Sequence, residues 1–420
     1  MNRRANSRTV LLLLLAVAAL AVLFGASHWP PRREAAHSDA PAAPSDAPRP
    51  KPTAGQNEGG RLERINGYLV LHVEGTPEQM GEQHGRLLRD QIRKACRALI
   101  HDSYPGEAYD RLIEGTREME KHQPDAFRRE LRALADAAGI DYWDSVAMQL
   151  FGDVDRGLRP AWSATDGGMW CTSYAVFGPA TKTGELIVGR NMDFYDAGVG
   201  EYGAILMHVT PDEGRPFVTV TWAGIINGWT LMNDRGLVTA NNSAFGGANS
   251  LRGISTCFLL RKVAQFAADV EQGVEIVRRG PRACGTNMLI AGPRTPAAAI
   301  VEFDHEQVAV RRARDGYVLA ANSFRKLGGA EPFGDTWGFT RYGKLEKLIR
   351  EHHGEIDRSM NFAGARGVPM SSNLHSAMLF PGDLIIRVSM GKIPAYEHPY
   401  IGFRMTDEGL VAENDEDPEP

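Results

Sequence analysis

The chain has 420 residues, 43% of them hydrophobic and 24% charged, and a formal net charge of −5. That length supports one large folded domain or two ordinary ones, with a sizeable core. No basic stripe exists beyond the extreme N-terminus, which argues against a nucleic-acid partner.

The first ten residues carry Arg3, Arg4 and Arg8 and no acid, and the run "LLLLLAVAALAVLFGA" stays apolar through Ala26. Residues 1–27 read as a signal anchor or a signal peptide. The run is at the short edge of the roughly 17–25 residues that span a bilayer. Phe24 would occupy the −3 position for a cut after Ala26, so an uncleaved anchor is the favoured reading. The arginines precede the apolar run, which places the rest of the chain outside the cytoplasm. The expectation is an exported protein, anchored in the inner membrane and facing the periplasm or extracellular side, or secreted. Residues 28–60 are rich in Pro, Ala and charge without apolar periodicity, and read as a disordered linker. Residues 411–420 read as an acidic tail.

Arg64–Gly75 alternates as a strand. A helix is predicted next, with Thr76 as its cap, Pro77 at its first position and Gln79 closing a capping box. Helical patterns follow over Gly106–His122 and Pro124–Ala138, the second stopped by Gly139. Asp141 caps another, through Gly152. Residues 61–170 therefore form a mostly helical segment. From Gly167 the texture changes to short runs such as "TSYAVFG", "ELIVGRN", "FVTVTWAG" and "GLVTANNSA", separated by turn residues. A helix is predicted over Ser255–Arg278, then more strands, then a helix near Arg341–His352. Two last strands meet at a Pro381–Gly382 turn. Many adjacent strands with few helices between them predict large antiparallel sheets covered by helices. Residues 171–410 form this second segment of the same domain.

Four cysteines are present, Cys96, Cys171, Cys257 and Cys284, and no C-x-x-C pair, so a zinc knuckle or thioredoxin-like motif is not expected. Taken alone, Cys171 reads as a core thiol or half a disulfide. It also opens a strand-like run in mid-chain, upstream of a strand that ends in Arg190 and Asp193. A cysteine nucleophile needs a base. The histidines are scattered and match no papain-like signature, though a distant histidine stays open. His84 reads as a packing or hydrogen-bonding residue, and Cys257 and Cys284 as structural. The second solution is a cut before Cys171. The freed α-amino group, with a reference pKa of about 7.7–8.0, then serves as the base.

The blocks "GTPEQMGEQHGRLLRDQI", "LRALADAAGIDYWDSVAMQ", "CTSYAVFGPATKTGELIVGRNMDF", "VTVTWAGIINGWTLMNDRGLVTANNS" and "LHSAMLFPGDLIIRVSMG" occur in that order. Over about Gly67 to Arg404 the chain resembles the penicillin acyltransferase family, the autoproteolytic N-terminal nucleophile hydrolases related to choloylglycine hydrolases. The resemblance implies an α+β fold, a four-layer αββα sandwich. It implies Cys171 as nucleophile and Trp170–Cys171 as the self-cleaved bond. Asp193 then contacts the new amino terminus, and Arg190 adjoins the thiol as in choloylglycine hydrolases. Asn322 supplies an oxyanion-hole amide and Asn242 a second active-site amide. Arg341 stands for a late active-site arginine, although its spacing from Asn322 fits poorly. Trp170 departs from the glycine common before the nucleophile, and a bulky residue there is expected to slow self-cleavage.

The implied activity is a cofactor-free amidohydrolase or acyltransferase acting on linear C–N amide bonds of small molecules or small peptides through a thioester. Amide hydrolysis is favoured, since coenzyme A donors are not expected outside the cytoplasm. Expected partners are a small-molecule amide, the membrane through the N-terminal segment, and the two cleaved chains for each other. The competing reading is a membrane-tethered binding protein that keeps the fold without catalysis.

Overall fold

Two β-sheets lie face to face in a computed structural model that describes residues 59–158, 170–194, 197–245, 247–294, 297–327, 336–364, 367–368 and 370–413. The apolar N-terminal run, most of the linker and residues 414–420 lie outside the described residues. Among the described residues no helix is long and apolar enough to cross a membrane.

The chain opens with β1 (Arg61–Ile65) and β2 (Tyr68–Gly75). Alternation alone predicts one strand over this stretch. Asn66 and Gly67 instead adopt positive φ and pair Ile65 with Tyr68, making a two-residue hairpin turn. The Asn-Gly dipeptide is its signal. Helices α1 (Pro77–Leu87), α2 (Arg89–Cys96), α3 (Glu107–Glu120), α4 (Asp125–Ala138) and α5 (Tyr142–Leu158) follow, with a π-helical turn over Arg97–Asp102. The capping box forms as predicted: Gln79 N donates to Thr76 Oγ1 at 3.3 Å, and Thr76 N donates to Gln79 Oε1 at 2.9 Å. Gly139 closes α4 in the left-handed conformation, with φ of 66°. Gly81 lets α1 lie against α4, since a Cβ there would meet the Glu130 carbonyl oxygen at 2.1 Å.

The second half supplies β3 (Trp170–Val176), β4 (Ile187–Asp193), β5 (Ala204–Pro211), β6 (Phe217–Trp222), β7 (Thr230–Asn233) and β8 (Val238–Ser243). The single helix predicted over Ser255–Arg278 is two, α6 (Thr256–Phe266) and α7 (Val270–Arg279). The break has a local cause. Asp269 is extended and caps α7 by accepting from Gln272 N at 2.9 Å. Strands β9 (Thr286–Gly292), β10 (Ala297–Phe303), β11 (Val308–Arg312) and β12 (Tyr317–Ala320) follow, then α8 (Thr336–Glu351). The chain ends in β13 (Asn373–Phe380), β14 (Ile385–Met390), β15 (Ile401–Thr406) and β16 (Gly409–Ala412).

One sheet has the order β1-β2-β5-β6-β7-β8-β9-β10-β11 and the other β12-β3-β4-β13-β14-β15-β16. Pairing is antiparallel except between β2 and β5. An apolar layer joins the sheets, with Val70, Leu206, Val218 and Ile300 from the first and Ala175, Val188, Ala377 and Val388 from the second. Helices α1 to α7 cover the first sheet through Leu71, Val73, Met207 and their own apolar faces. Helix α8 covers the second, where Leu345 and Ile349 pack with Tyr174 and Ile187. This is the four-layer αββα sandwich of an α+β fold. Central strands are covered on both faces, so they read as apolar runs rather than strict alternation.

Candidate active site

Cys171 is the second residue of β3 and is 4% exposed. Strand β12 pairs with β3 through Ala320 and Ser173, so Asn322, two residues further on, arrives level with Cys171. Strand β4 flanks the other side, setting Arg190 opposite Ser173 and Asp193 opposite Trp170. Gly189 makes room here, since a Cβ on it would meet the Tyr174 ring at 2.1 Å.

Arg190 is fully buried and its Nη2 donates to Cys171 Sγ at 3.3 Å. Its Nη1 donates to Thr172 O at 3.4 Å, to Asn242 Oδ1 at 3.5 Å, and to Asn191 O. The guanidinium thus holds its charge against the sulfur with neutral oxygens behind it. Asn242 comes from β8 of the facing sheet, and its Nδ2 donates to Ser173 Oγ at 2.7 Å and to Asn287 O at 3.3 Å.

Arg341, on α8, reaches the same place despite its spacing. Its Nη1 donates to Cys171 O at 3.1 Å and its Nη2 to Asn322 Oδ1 at 2.7 Å. The guanidinium also lies 5.8 Å from the Trp170 ring, which packs beside Phe245 with centroids 5.8 Å apart.

Asn322 faces Cys171 through its side-chain oxygen. Its Nδ2 donates to Ser243 O at 2.7 Å, while its Oδ1 accepts from Cys171 N at 2.8 Å. The partners fix this orientation, since the Cys171 N–H and the guanidinium can only donate and the Ser243 carbonyl can only accept. One Asn322 amide N–H thus goes to Ser243 O, while its oxygen holds the nitrogen of Cys171.

Asp193 is fully buried and its Oδ1 accepts from Asn373 Nδ2 at 2.8 Å. Its Oδ2 meets no hydrogen-bond donor among the described residues. Burial pushes the carboxyl up to about 7, against the opposing pulls of the Arg341 charge, the Asn373 hydrogen bond and the Arg190 charge. The folded chain therefore holds a proton that the unfolded chain releases near pH 4, and stability falls as pH rises from about 4 to about 7. Asp193→Asn keeps the shape and cannot ionise. In a Cys171→Ala background, thermal unfolding should show the Asp193→Asn variant gaining on its parent across that window.

Several supporting residues give no local sequence signal. Asn287 Nδ2 donates to Ala321 O at 2.8 Å and Ser323 O at 3.1 Å, clamping Asn322 from both sides. Glu302, fully buried in β10, accepts from the backbone N–H groups of Arg325, Lys326 and Leu327 and from Arg311 Nε, which fixes the turn after Asn322. Asn373 is likewise unmarked in the sequence.

The histidines do other work. His84 Nε2 accepts from Gly224 N at 3.0 Å, as its packing role predicts. His375 pairs with Met192, which pairs with Cys171, so its backbone lies two strands, about 9.5 Å, from that of Cys171. Its Nε2 bonds Thr230 Oγ1 at 2.9 Å, and burial and the Arg190 charge hold it well below the usual histidine range. All four cysteines are free thiols. Burial, then the charges of Asp153 and Cys171, push Cys257 well above the ordinary thiol value. Trp222 and Trp229 pack with ring centroids 4.5 Å apart in the core that also holds Cys171.

Residues 180–359 match the family described as acyl-coenzyme A:6-aminopenicillanic acid acyl-transferase. Over that stretch the chain is similar to the penicillin acyltransferase family. The matched residues include Arg190, Asp193, Asn242, Asn322 and Arg341. Over 338 residues the chain is 25% identical to an uncharacterized protein of Archaeoglobus fulgidus, covering 70% of this chain and 56% of that one. It is 23% identical over 291 residues to protein dcd1A of Dictyostelium discoideum, covering 60% of this chain and 63% of that one. The chain thus spans somewhat over half the length of these curated relatives. Among solved structures, a variant of conjugated bile acid hydrolase from Clostridium perfringens is similar at 14% identity and a TM-score of 0.39, over 58% of this chain and 97% of that one. Penicillin V acylase from Agrobacterium tumefaciens is similar at 11% identity and a TM-score of 0.35, over 58% and 98%.

Proposed function

We propose that the chain cuts itself between Trp170 and Cys171 and then acts on linear amides as a cysteine amidohydrolase or acyltransferase. The observation that carries this reading is the environment of one residue. The Cys171 nitrogen is held by Asn322 Oδ1 and its sulfur by Arg190 Nη2, so both ends of an aminothiol already have partners.

In the first step Cys171 Sγ attacks the Trp170 carbonyl carbon. The C–N bond breaks, the nitrogen takes the proton, and a thioester joins Trp170 to the sulfur. Water then cleaves the thioester, releasing Trp170 as a carboxylate and regenerating the Cys171 thiol beside its now free amine. Asn322 Oδ1 accepts from that amine, and the buried Asp193, with one oxygen unmatched, orients it or bears its counter-charge. In turnover the amine takes the thiol proton as sulfur attacks a substrate carbonyl, and gives it to the leaving amine. Arg190 favours negative charge on the sulfur throughout. Water or an acceptor amine then takes the acyl group. Release to water is the favoured outcome outside the cytoplasm, where residues 1–27 are proposed to anchor the protein.

A panel of N-acyl amides tests this reading. The wild type should release amine from at least one, form a hydroxamate when hydroxylamine is added, and lose both reactions in Cys171→Ala. Turnover that survives Cys171→Ala would remove the thioester from the account.

A further inference from the structure

A second cluster of reactive side chains lies in the helical layer. Cys96 ends α2, His101 sits in the π-helical turn, and Asp144 lies in the first turn of α5. One ligating atom from each falls within 4.8 Å of the other two.

The backbone explains how a cysteine and a histidine five residues apart come together. On an α-helix they would point about 140° apart, at 3.6 residues per turn. The turn over Arg97–Asp102 is π-helical, and its i to i+5 bonding stacks residues five apart on one face. Ser103 Oγ donates to Ala98 O at 2.7 Å across the same widened turn. Such turns occur as single insertions in helices, often at functional sites. Asp144 then approaches from α5. Its Oδ2 lies 2.9 Å from His101 Nε2, and its Oδ1 accepts from Tyr109 Oη at 2.9 Å. The Tyr109 ring stacks on His101 with centroids 5.4 Å apart.

We propose that Cys96, His101 and Asp144 bind one zinc ion, with water as the fourth ligand. Thiolate, imidazole and carboxylate are the three donor types zinc accepts. With bonds of about 2.3 Å to sulfur and about 2.0–2.2 Å to nitrogen and oxygen, tetrahedral ligand atoms stand roughly 3.3–3.8 Å apart. Reaching that takes small adjustments: the pair at 2.9 Å, Asp144 Oδ2 and His101 Nε2, opens slightly, and any separation near the 4.8 Å limit closes. Cys96 is 3% and Asp144 5% exposed, while the His101 side chain is 48% exposed, so the ion has a way in from solvent. Tyr109 holds the carboxylate from behind, as outer partners of metal ligands do. Binding releases the Cys96 thiol proton to solvent. The ion would tie the π turn to α5, far in sequence from the nucleophile, and takes no part in the thioester chemistry.

The test uses the full chain with Cys171→Ala, without a histidine tag and under a non-thiol reductant, titrated with zinc against a chromophoric chelator. One equivalent should bind and raise the melting temperature. Cobalt in its place should give a thiolate charge-transfer band that disappears in Cys96→Ser. Tyr109→Phe should weaken binding about 10- to 100-fold, and His101→Ala, at a half-exposed position that leaves the fold intact, by more. Absence of binding overturns the proposal. So does binding unchanged by both His101→Ala and Cys96→Ser. Neither result bears on the nucleophile, because Cys171 is already removed.

Discussion

Arg190→Met should give a protein that melts no lower than its parent yet turns over amides slower by on the order of 100-fold or more. Arg190 is fully buried, and its hydrogen bonds run to backbone oxygens, an amide oxygen and the Cys171 sulfur. Its Nε has no hydrogen-bond partner among the described residues. A buried cation hydrogen-bonded only to neutral groups has no opposite charge to repay its desolvation, so removing it relieves a cost that offsets the bonds lost. The fold gains little from this charge, and the sulfur gains much. Chemical unfolding and amide turnover on the same preparation check the two halves of the prediction. A variant that is both unstable and inactive would make Arg190 structural.

Arg261→Met should do the opposite and destabilise the fold by about 3–5 kcal/mol. Arg261 is also fully buried, but it forks onto Glu130 of α4, with Nη1 to Oε1 at 3.0 Å and Nη2 to Oε2 at 2.6 Å. Its Nη1 further donates to Ile226 O at 2.8 Å, and its guanidinium lies 4.4 Å from the Phe127 ring. Burial pushes the Glu130 carboxyl up, and the Arg261 charge and hydrogen bond pull it down. Removing the arginine leaves an uncompensated buried acid between α4 and α6. Pairing Arg261→Met with Glu130→Leu should recover most of the loss, since both partners are then apolar. A denaturant midpoint that barely moves in the single variant would contradict this.

Much of this architecture is legible because it is written locally. The Thr76 and Gln79 box, the Gly139 stop, the Pro381–Gly382 turn and the strand that opens at Trp170 after the helical half are each set by a few neighbouring residues. The Asn66–Gly67 hairpin and the Asp269 cap carry equally local signals, masked by the apolar patterns that run through them. The site is legible in part. Cys171, Arg190 and Asp193 share one pair of strands, and Asn322 follows the strand next to them. Arg341 is harder to place, because a helix brings it in and no spacing rule links helix to strand. Glu302, Asn287 and Asn373 are invisible for a related reason. Each acts on backbone or side chains brought near by sheet pairing, and a lone acid in "AAAIVEF" or an asparagine in a strand has many bland uses. The pairing of Cys96 with His101 is hidden because it exists only in π geometry.

The most direct test of the central claim is the intact mass and N-terminal sequence of the purified wild-type protein beside Cys171→Ala. Two wild-type fragments are expected, the second beginning Cys-Thr-Ser-Tyr, and one uncut chain in the variant. A wild-type chain that stays whole yet turns over amides, or a cut that persists in Cys171→Ala, would contradict it.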